Sequence, residues 1–209
     1  PSYLARTEHY YDLAGALTYI TGTGLALAAA PVLNDRSWLM ALLVWIWSGR
    51  LGWFLFRRVR RSGKDGRFDE IKGDFPRFLI AWMLQGLWVT FTAAAAWVVI
   101  TNAASAGLGW IDLVGGALWL TGFLVEAIAD HQKSVFKRDP ANHGRFIHTG
   151  LWAVSRHPNY FGEILLWVGV ACLALPELAG WHYVALLSPV FVTLLLTRIS
   201  GVPILERRA

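Results

Sequence analysis

The sequence predicts an all-α fold, a polytopic membrane helix bundle of about six to seven transmembrane helices. Three observations predict it. Of the 209 residues, 56% are hydrophobic and only 16% are charged, whereas a soluble domain typically carries about 25% charged residues. Several apolar runs reach the roughly 20 residues needed to cross a hydrocarbon core about 30 Å thick. Lysine and arginine alternate between the connections: residues 57–77 hold eight and residues 131–159 hold five, while the intervening connections hold Arg36 alone. That alternation is the positive-inside pattern, and it places both ends of the chain and the two long connections in the cytoplasm.

Six spans can be drawn, at about residues 13–33, 38–56, 78–100, 108–129, 160–175 and 183–205. A seventh is expected upstream if the chain is trimmed before Pro1. No repeat or low-complexity linker divides residues 1–209, so a single domain is expected. No cleavable signal peptide is visible, because residues 1–12 lack a basic stretch ahead of a short apolar core. The net charge of +5 does not point to nucleic acid, since the cations lie in connections where topology already requires them. Cys172 is the single cysteine and lies within an apolar run, so it forms no internal disulfide.

Before the first span, Tyr10 and Tyr11 are placed as interfacial anchors, and Asp12 and Tyr19 can face a cavity. The second span contains Arg50 between Gly49 and Gly52. Charge inside a span is expensive, so Arg50 either snorkels to the surface or meets a ligand or carboxylate. The cations of residues 57–77 read as a solvated collar facing lipid headgroups, around a Ser-Gly-Lys-Asp-Gly turn. In the fourth span Glu126 and Asp130 stand one helical turn apart, and Lys133 and Lys137 continue that face if the helix persists. This is either an acid–base ladder that finishes a helix or a phosphate clamp, with Asp130 holding an amine or a ribose hydroxyl.

The fifth span opens with Pro158, whose fixed φ and missing N–H suit a first helical position, capped by His157 or Ser155. A helix beginning here sets Arg156, Asn159, Tyr160 and Glu163 on one face. Its free N–H groups and positive dipole end suit an anion. Asn159 and Glu163 together match an amide ligand, because a carboxylate accepts and an asparagine both donates and accepts. The alternative is Glu163 paired with Arg156 or Arg50. His131, His143 and His148 lack metal-ligand spacing, and no metal is expected. Arg198 and the Ser200-Gly-Val-Pro203 run interrupt the last span.

Arg156-His-Pro-Asn-Tyr-Phe-Gly-Glu163 resembles the signature of the steroid 5-alpha-reductase-like membrane enzymes, especially bacterial members. Tyr11-Asp-Leu-Ala-Gly, Arg50-Leu-Gly, Gly63-Lys-Asp-Gly-Arg-Phe68, Glu126-Ala-Ile-Ala-Asp-His-Gln-Lys133, Phe136-Lys137 and Ser200-Gly-Val-Pro-Ile-Leu-Glu206 agree with it. Sterol reductases carry a related pattern. The resemblance implies a bacterial inner-membrane enzyme in which NADPH, entering from the cytoplasm, reduces a double bond conjugated to a ketone in a steroid or other enone lipid. It implies that Asn159 and Glu163 lie at the nicotinamide. It further implies that Lys133, Lys137, Arg145 and Arg156 contact phosphates, that Asp130 contacts ribose or adenine, and that Arg50 lies on the cofactor side.

Glu126 and His157 complete the expected cofactor set, and Tyr11, Asp12, Tyr19 and Tyr160 are the candidate polarising groups. The Gln-Glu pair by which eukaryotic steroid enzymes hold the keto group is absent, and Trp47 stands where their tyrosine is expected. Family chains continue past this length with a Tyr- and Arg-bearing tail, so further cofactor contacts are expected beyond Ala209. Two other readings are an isoprenylcysteine-type methyltransferase using S-adenosylmethionine, which shares an Arg-His-Pro-x-Tyr helix mouth, and a non-enzymatic lipid-binding protein. The basic set Lys133, Lys137 and Arg145 favours a phosphorylated cofactor over the methyl donor.

Overall fold

A computed structural model describes residues 3, 7–62, 68–69, 71, 73–102 and 107–199. The expected turn at 63–67, Lys64, Arg67, Lys72, the break at 200–203, Arg207 and Arg208 lie outside these residues. The described residues form helices and turns, with no strand. The chain divides into two compact units, Pro1–Ser105 and Ala106–Ala209.

The first unit contains α1 (Tyr11–Ala29), α2 (Asp35–Ser62) and α3 (Phe75–Thr101). Pro31 follows the end of α1 and cannot extend its hydrogen-bonding ladder. Asn34 starts α2: its side-chain oxygen accepts from the Ser37 N–H at 2.8 Å, which satisfies one donor the helix leaves open. Asp74 does the same for α3 through the Arg77 N–H at 3.2 Å, with Pro76 in the first turn. Indole N–H groups tie α1 to its neighbours. Trp45 donates to the Ile20 carbonyl at 3.1 Å and Trp97 to the Thr23 hydroxyl at 3.0 Å. Gly52 of α2 lies against Ala16 of α1, where any Cβ would collide. Such small-residue contacts let membrane helices approach closely when lipid offers no hydrophobic drive.

The second unit contains α4 (Trp110–Arg138), α5 (Pro158–Ala174) and α6 (Leu187–Leu194). Asp112 accepts from the Gly109 N–H at 2.7 Å at the start of α4. The connection from α4 to α5 contains short 3-10 turns at Pro140–Asn142 and Gly150–Ala153. The α4–α5 seam is built on glycine. Gly122 faces Gly162 and Gly115 faces Gly169, and a Cβ at any of the four would fall within 2.9 Å of opposing backbone. Both pairs recur after seven residues, or two turns, so the helices touch backbone to backbone over that length. The last crossing is composite: a 3-10 stretch Gly180–Leu186, then α6, then a π-helical turn Leu195–Ile199.

Five helical segments are long and apolar enough to cross a membrane: Asp35–Arg61, Phe75–Thr101, Trp110–Arg138, Pro158–Glu177 and Gly180–Ile199. With them the chain is an integral membrane protein of helical-bundle type. The first expected span is the 19-residue α1, which carries Asp12, Tyr19 and three threonines and is not among the five. Two boundaries differ from expectation. Arg57, Arg58, Arg60 and Arg61 belong to α2 rather than to a loop, and α4 continues past residue 129 to Arg138. Arginine and lysine are good helix formers and suit a helix C-terminus, so each helix outlasts its apolar run. Arg36 is a third difference: it is 1% exposed in the first turn of α2 and is no loop cation.

Candidate functional site

The second unit gathers the residues of the fifth-span signature and the fourth-span acids. The continuity of α4 to Arg138 places Glu126, Asp130, Lys133 and Lys137 on one helix, as their spacing requires. Glu126 and Asp130 are 2% and 6% exposed. Carboxylates buried this deeply beside lipid demand polar partners. One is Asn159 of α5, whose amide nitrogen donates to Asp130 Oδ1 at 3.4 Å. The amide's own oxygen, Asn159 Oδ1, is buried and accepts no hydrogen bond among the described residues. Asn159 thus joins the two helices by its donor end and keeps an acceptor in reserve.

Gly162 makes this meeting geometrically feasible. It stands three residues after Asn159 and abuts the backbone of Gly122 and Glu126, which draws the first turn of α5 onto α4. Glu163 follows on α5, half-buried, one turn beyond Asn159. Pro158 is the first residue of α5 and His157 occupies the cap position, without a capping bond from its side chain. The Ser155 hydroxyl accepts from the His157 N–H at 3.2 Å. The His157 ring stacks on Tyr160 at 5.3 Å with an interplanar angle of 10°. Arg156 precedes the cap, so it does not continue the helical face of Asn159, Tyr160 and Glu163; it is exposed at the helix mouth.

The connection between α4 and α5 is tied back to α4. Gln132 Oε1 accepts from the Leu151 N–H at 3.0 Å, and the buried Trp152 indole donates to the Ala129 carbonyl at 3.0 Å. Trp152 also underlies a cation: the Lys133 ammonium stands 4.6 Å from its ring centroid, within cation–π range. Lys137 and Arg145 are exposed. Gln132 and Trp152 are the contributors that sequence reasoning passed over. Gln132 lies inside the quoted fourth-span motif, and Trp152 is the one tryptophan of the connection.

The remaining candidates lie in the first unit. Tyr11 is buried against Phe68 and Trp82, and its hydroxyl donates to the Ala81 carbonyl at 3.0 Å. Asp12 lies 3.7 Å from Arg58. Tyr19 packs edge-on against Trp47 at 5.0 Å. Arg50 is half-buried on α2. Tyr11, Asp12 and Tyr19 therefore have structural roles visible in their own unit.

Two buried acids of α4 and an amide of α5 thus meet along the seam of two helices long and apolar enough to cross a membrane, as in a polytopic membrane protein. The family model described as "Protein of unknown function (DUF1295)" matches residues 2–209, and the chain belongs to that family. It is similar to an uncharacterized protein of Schizosaccharomyces pombe, C594.04c, at 26% identity over 77% of this chain and 56% of that protein. It is also similar to 3-oxo-5-alpha-steroid 4-dehydrogenase 1 of Bos taurus, at 28% identity over 54% of this chain and 45% of that protein. A third relative is Delta(14)-sterol reductase of Arabidopsis thaliana, at 29% identity over 38% of this chain and 24% of that protein. The homology is that of a steroid 5-alpha-reductase-like chain. The chain spans about half the length, or less, of these curated relatives. No solved structure matches it.

Proposed function

We propose that residues 1–209 form one reductase domain that reduces a carbon–carbon double bond conjugated to a ketone, with NADPH as the reductant. The substrate is a hydrophobic lipid, a 3-oxo-Δ4 steroid or another enone. The observation that carries this reading is the Asp130–Asn159 contact across the α4–α5 seam, with the buried Asn159 oxygen still open to a donor. A carboxamide N–H is a fitting donor for it, and Glu163 one turn on supplies a second acceptor. The similarity to steroid and sterol enzymes supports the same class of reaction.

Bound NADPH supplies a hydride, which goes to the β-carbon of the enone. The chain's own residues bind and orient. Asn159 and Glu163 hold the carboxamide, Asp130 accepts from ribose or adenine, and Glu126 braces the site from within α4. Lys133, Lys137, Arg145 and Arg156 meet the phosphates, with His157 at the helix mouth and Arg50 on the cofactor side. An acid near the ketone stabilises the enolate as it forms, and a proton completes the α-carbon. Tyr11, Asp12, Tyr19 and Tyr160 are the candidates for this acid, and of these Tyr160 stands on α5 beside Asn159. The charge bias of the connections supports both ends of the chain in the cytoplasm, and the resemblance to bacterial family members supports a bacterial inner membrane.

The test is binding of the purified protein to NADPH, NADH and S-adenosylmethionine side by side, with Glu163→Gln in parallel. NADPH should bind tightest, and Glu163→Gln should weaken it by about tenfold, the effect expected for losing a hydrogen bond to a charged group. Preference for the methyl donor, or unchanged NADPH affinity in the variant, refutes the assignment.

A further inference from the structure

The last turns of α2 carry an open groove of about 420 Å³ lined by Trp53, Phe56, Arg57, Arg60 and Arg61. These positions follow the i, i+3, i+4, i+7, i+8 rhythm of a single helix face. The face is graded, with aromatic residues first and guanidiniums one to two turns later. It ends the apolar segment Asp35–Arg61. Aromatic residues at that depth sit at the boundary between acyl chains and headgroups, and arginines beyond them sit at the headgroups.

Rings of the same helix brace two of the guanidiniums. Arg57 lies 5.7 Å from the Trp53 ring centroid and Arg60 5.7 Å from that of Phe56. Tyr10, the residue before α1, stacks on the Phe56 ring at 6.2 Å. Arg58 leaves this stripe and meets Asp12. Among the described residues no carboxylate pairs with Arg57, Arg60 or Arg61. Three cations share one groove that no carboxylate among the described residues neutralises, while Trp53 remains 59% exposed beside them.

We propose that this groove is a binding site for one anionic phospholipid of the surrounding leaflet. The lipid phosphate takes the Arg57, Arg60 and Arg61 guanidiniums, whose fork geometry suits phosphate oxygens. The glycerol and upper acyl chain cover Trp53 and Phe56. Both halves of the groove are then satisfied by one molecule, and cation–π contacts hold two of the arginines in place before it arrives. A soluble phosphate would satisfy the cations and leave Trp53 bare. The site is independent of the proposed reductase activity, and its test reads lipid rather than turnover.

The full chain is reconstituted in bilayer discs of phosphatidylcholine with phosphatidylglycerol, then released gently, and the lipids it retains are counted by native mass spectrometry. One retained phosphatidylglycerol is expected. In the triple variant Arg57→Gln/Arg60→Gln/Arg61→Gln, retention should fall about fivefold for each cation removed. Arg77→Gln/Arg138→Gln, which removes charge elsewhere, should leave retention unchanged, and Trp53→Ala should lower it with charge intact. If the triple variant does not fold, Arg57→Gln and Arg61→Gln alone decide by the same count. Equal retention of phosphatidylcholine by the parent, equal loss in the Arg77/Arg138 control, or displacement of the lipid by inorganic phosphate or NADPH each overturns the proposal.

Discussion

Replacing Gly162 by alanine tests the seam on which the candidate site depends. A Cβ there would lie 2.6 Å from both the Glu126 nitrogen and the Gly122 carbonyl oxygen, where ordinary contact begins near 3.4 Å. Both neighbours are backbone, so no side chain can rotate away. The helices must part locally by nearly an ångström. Overpacking of this kind costs about 1–3 kcal/mol, which for a chain of this size lowers Tm by roughly 2–12 °C. The Asp130–Asn159 contact is already 3.4 Å long, close to the limit of a useful hydrogen bond. The same opening breaks it, so NADPH affinity should fall together with Tm. Thermal unfolding in detergent, with and without NADPH, reads both effects. Gly116→Ala is the control, since nothing lies within 4 Å of its Cβ position. If Gly162→Ala and Gly116→Ala melt alike and bind NADPH alike, the close approach of α4 and α5 is refuted.

Tyr11→Phe removes the bond to the Ala81 carbonyl and should cost about 1 kcal/mol of stability with turnover largely kept; lost turnover at unchanged Tm would return Tyr11 to the role of acid. Trp152→Phe keeps a ring beneath Lys133 but loses the bond to the Ala129 carbonyl. Unfolding should occur about 1 kcal/mol sooner, while NADPH affinity changes little. Asp12→Asn disturbs a pair 3.7 Å apart in which the arginine is half exposed and the aspartate only 9% exposed, so it should cost more stability than the roughly 0–1 kcal/mol of a fully exposed pair. Turnover should stay near the parent's, and a tenfold loss of turnover would show that Asp12 acts on substrate.

The mouth of α5 was legible because Pro158 restricts where a helix can begin, and the α4 face because its charges keep helical spacing. Arg156 was misplaced on that face because spacing alone does not locate the cap, and the helix starts two residues later. The ends of α2 and α4 were drawn short because apolar runs measure membrane depth, not helix length. The burial of Arg36 was hidden because topology counts read every arginine outside a span as solvated. The seam glycines were visible as letters, but Gly122 and Gly115 find their facing partners only at Gly162 and Gly169, far along the chain, and one sequence carries no pairing information. The composite last crossing, with its 3-10 and π turns, left no periodic signal distinct from an ordinary apolar helix.

The route from α4 to α5 is fastened to α4 near both of its ends. The Asn142 amide holds the Phe136 carbonyl at 3.1 Å, and Leu151 holds Gln132. Phe136 and Gln132 are one turn apart, so the stretch between these fastenings leaves the helix and returns almost to where it left. Arg145 rides on that handle, just after Gly144 with its φ of +73°. The side-chain ties of the handle end on α4, so a change confined to the glycine seam is expected to leave the placement of Arg145 unaltered.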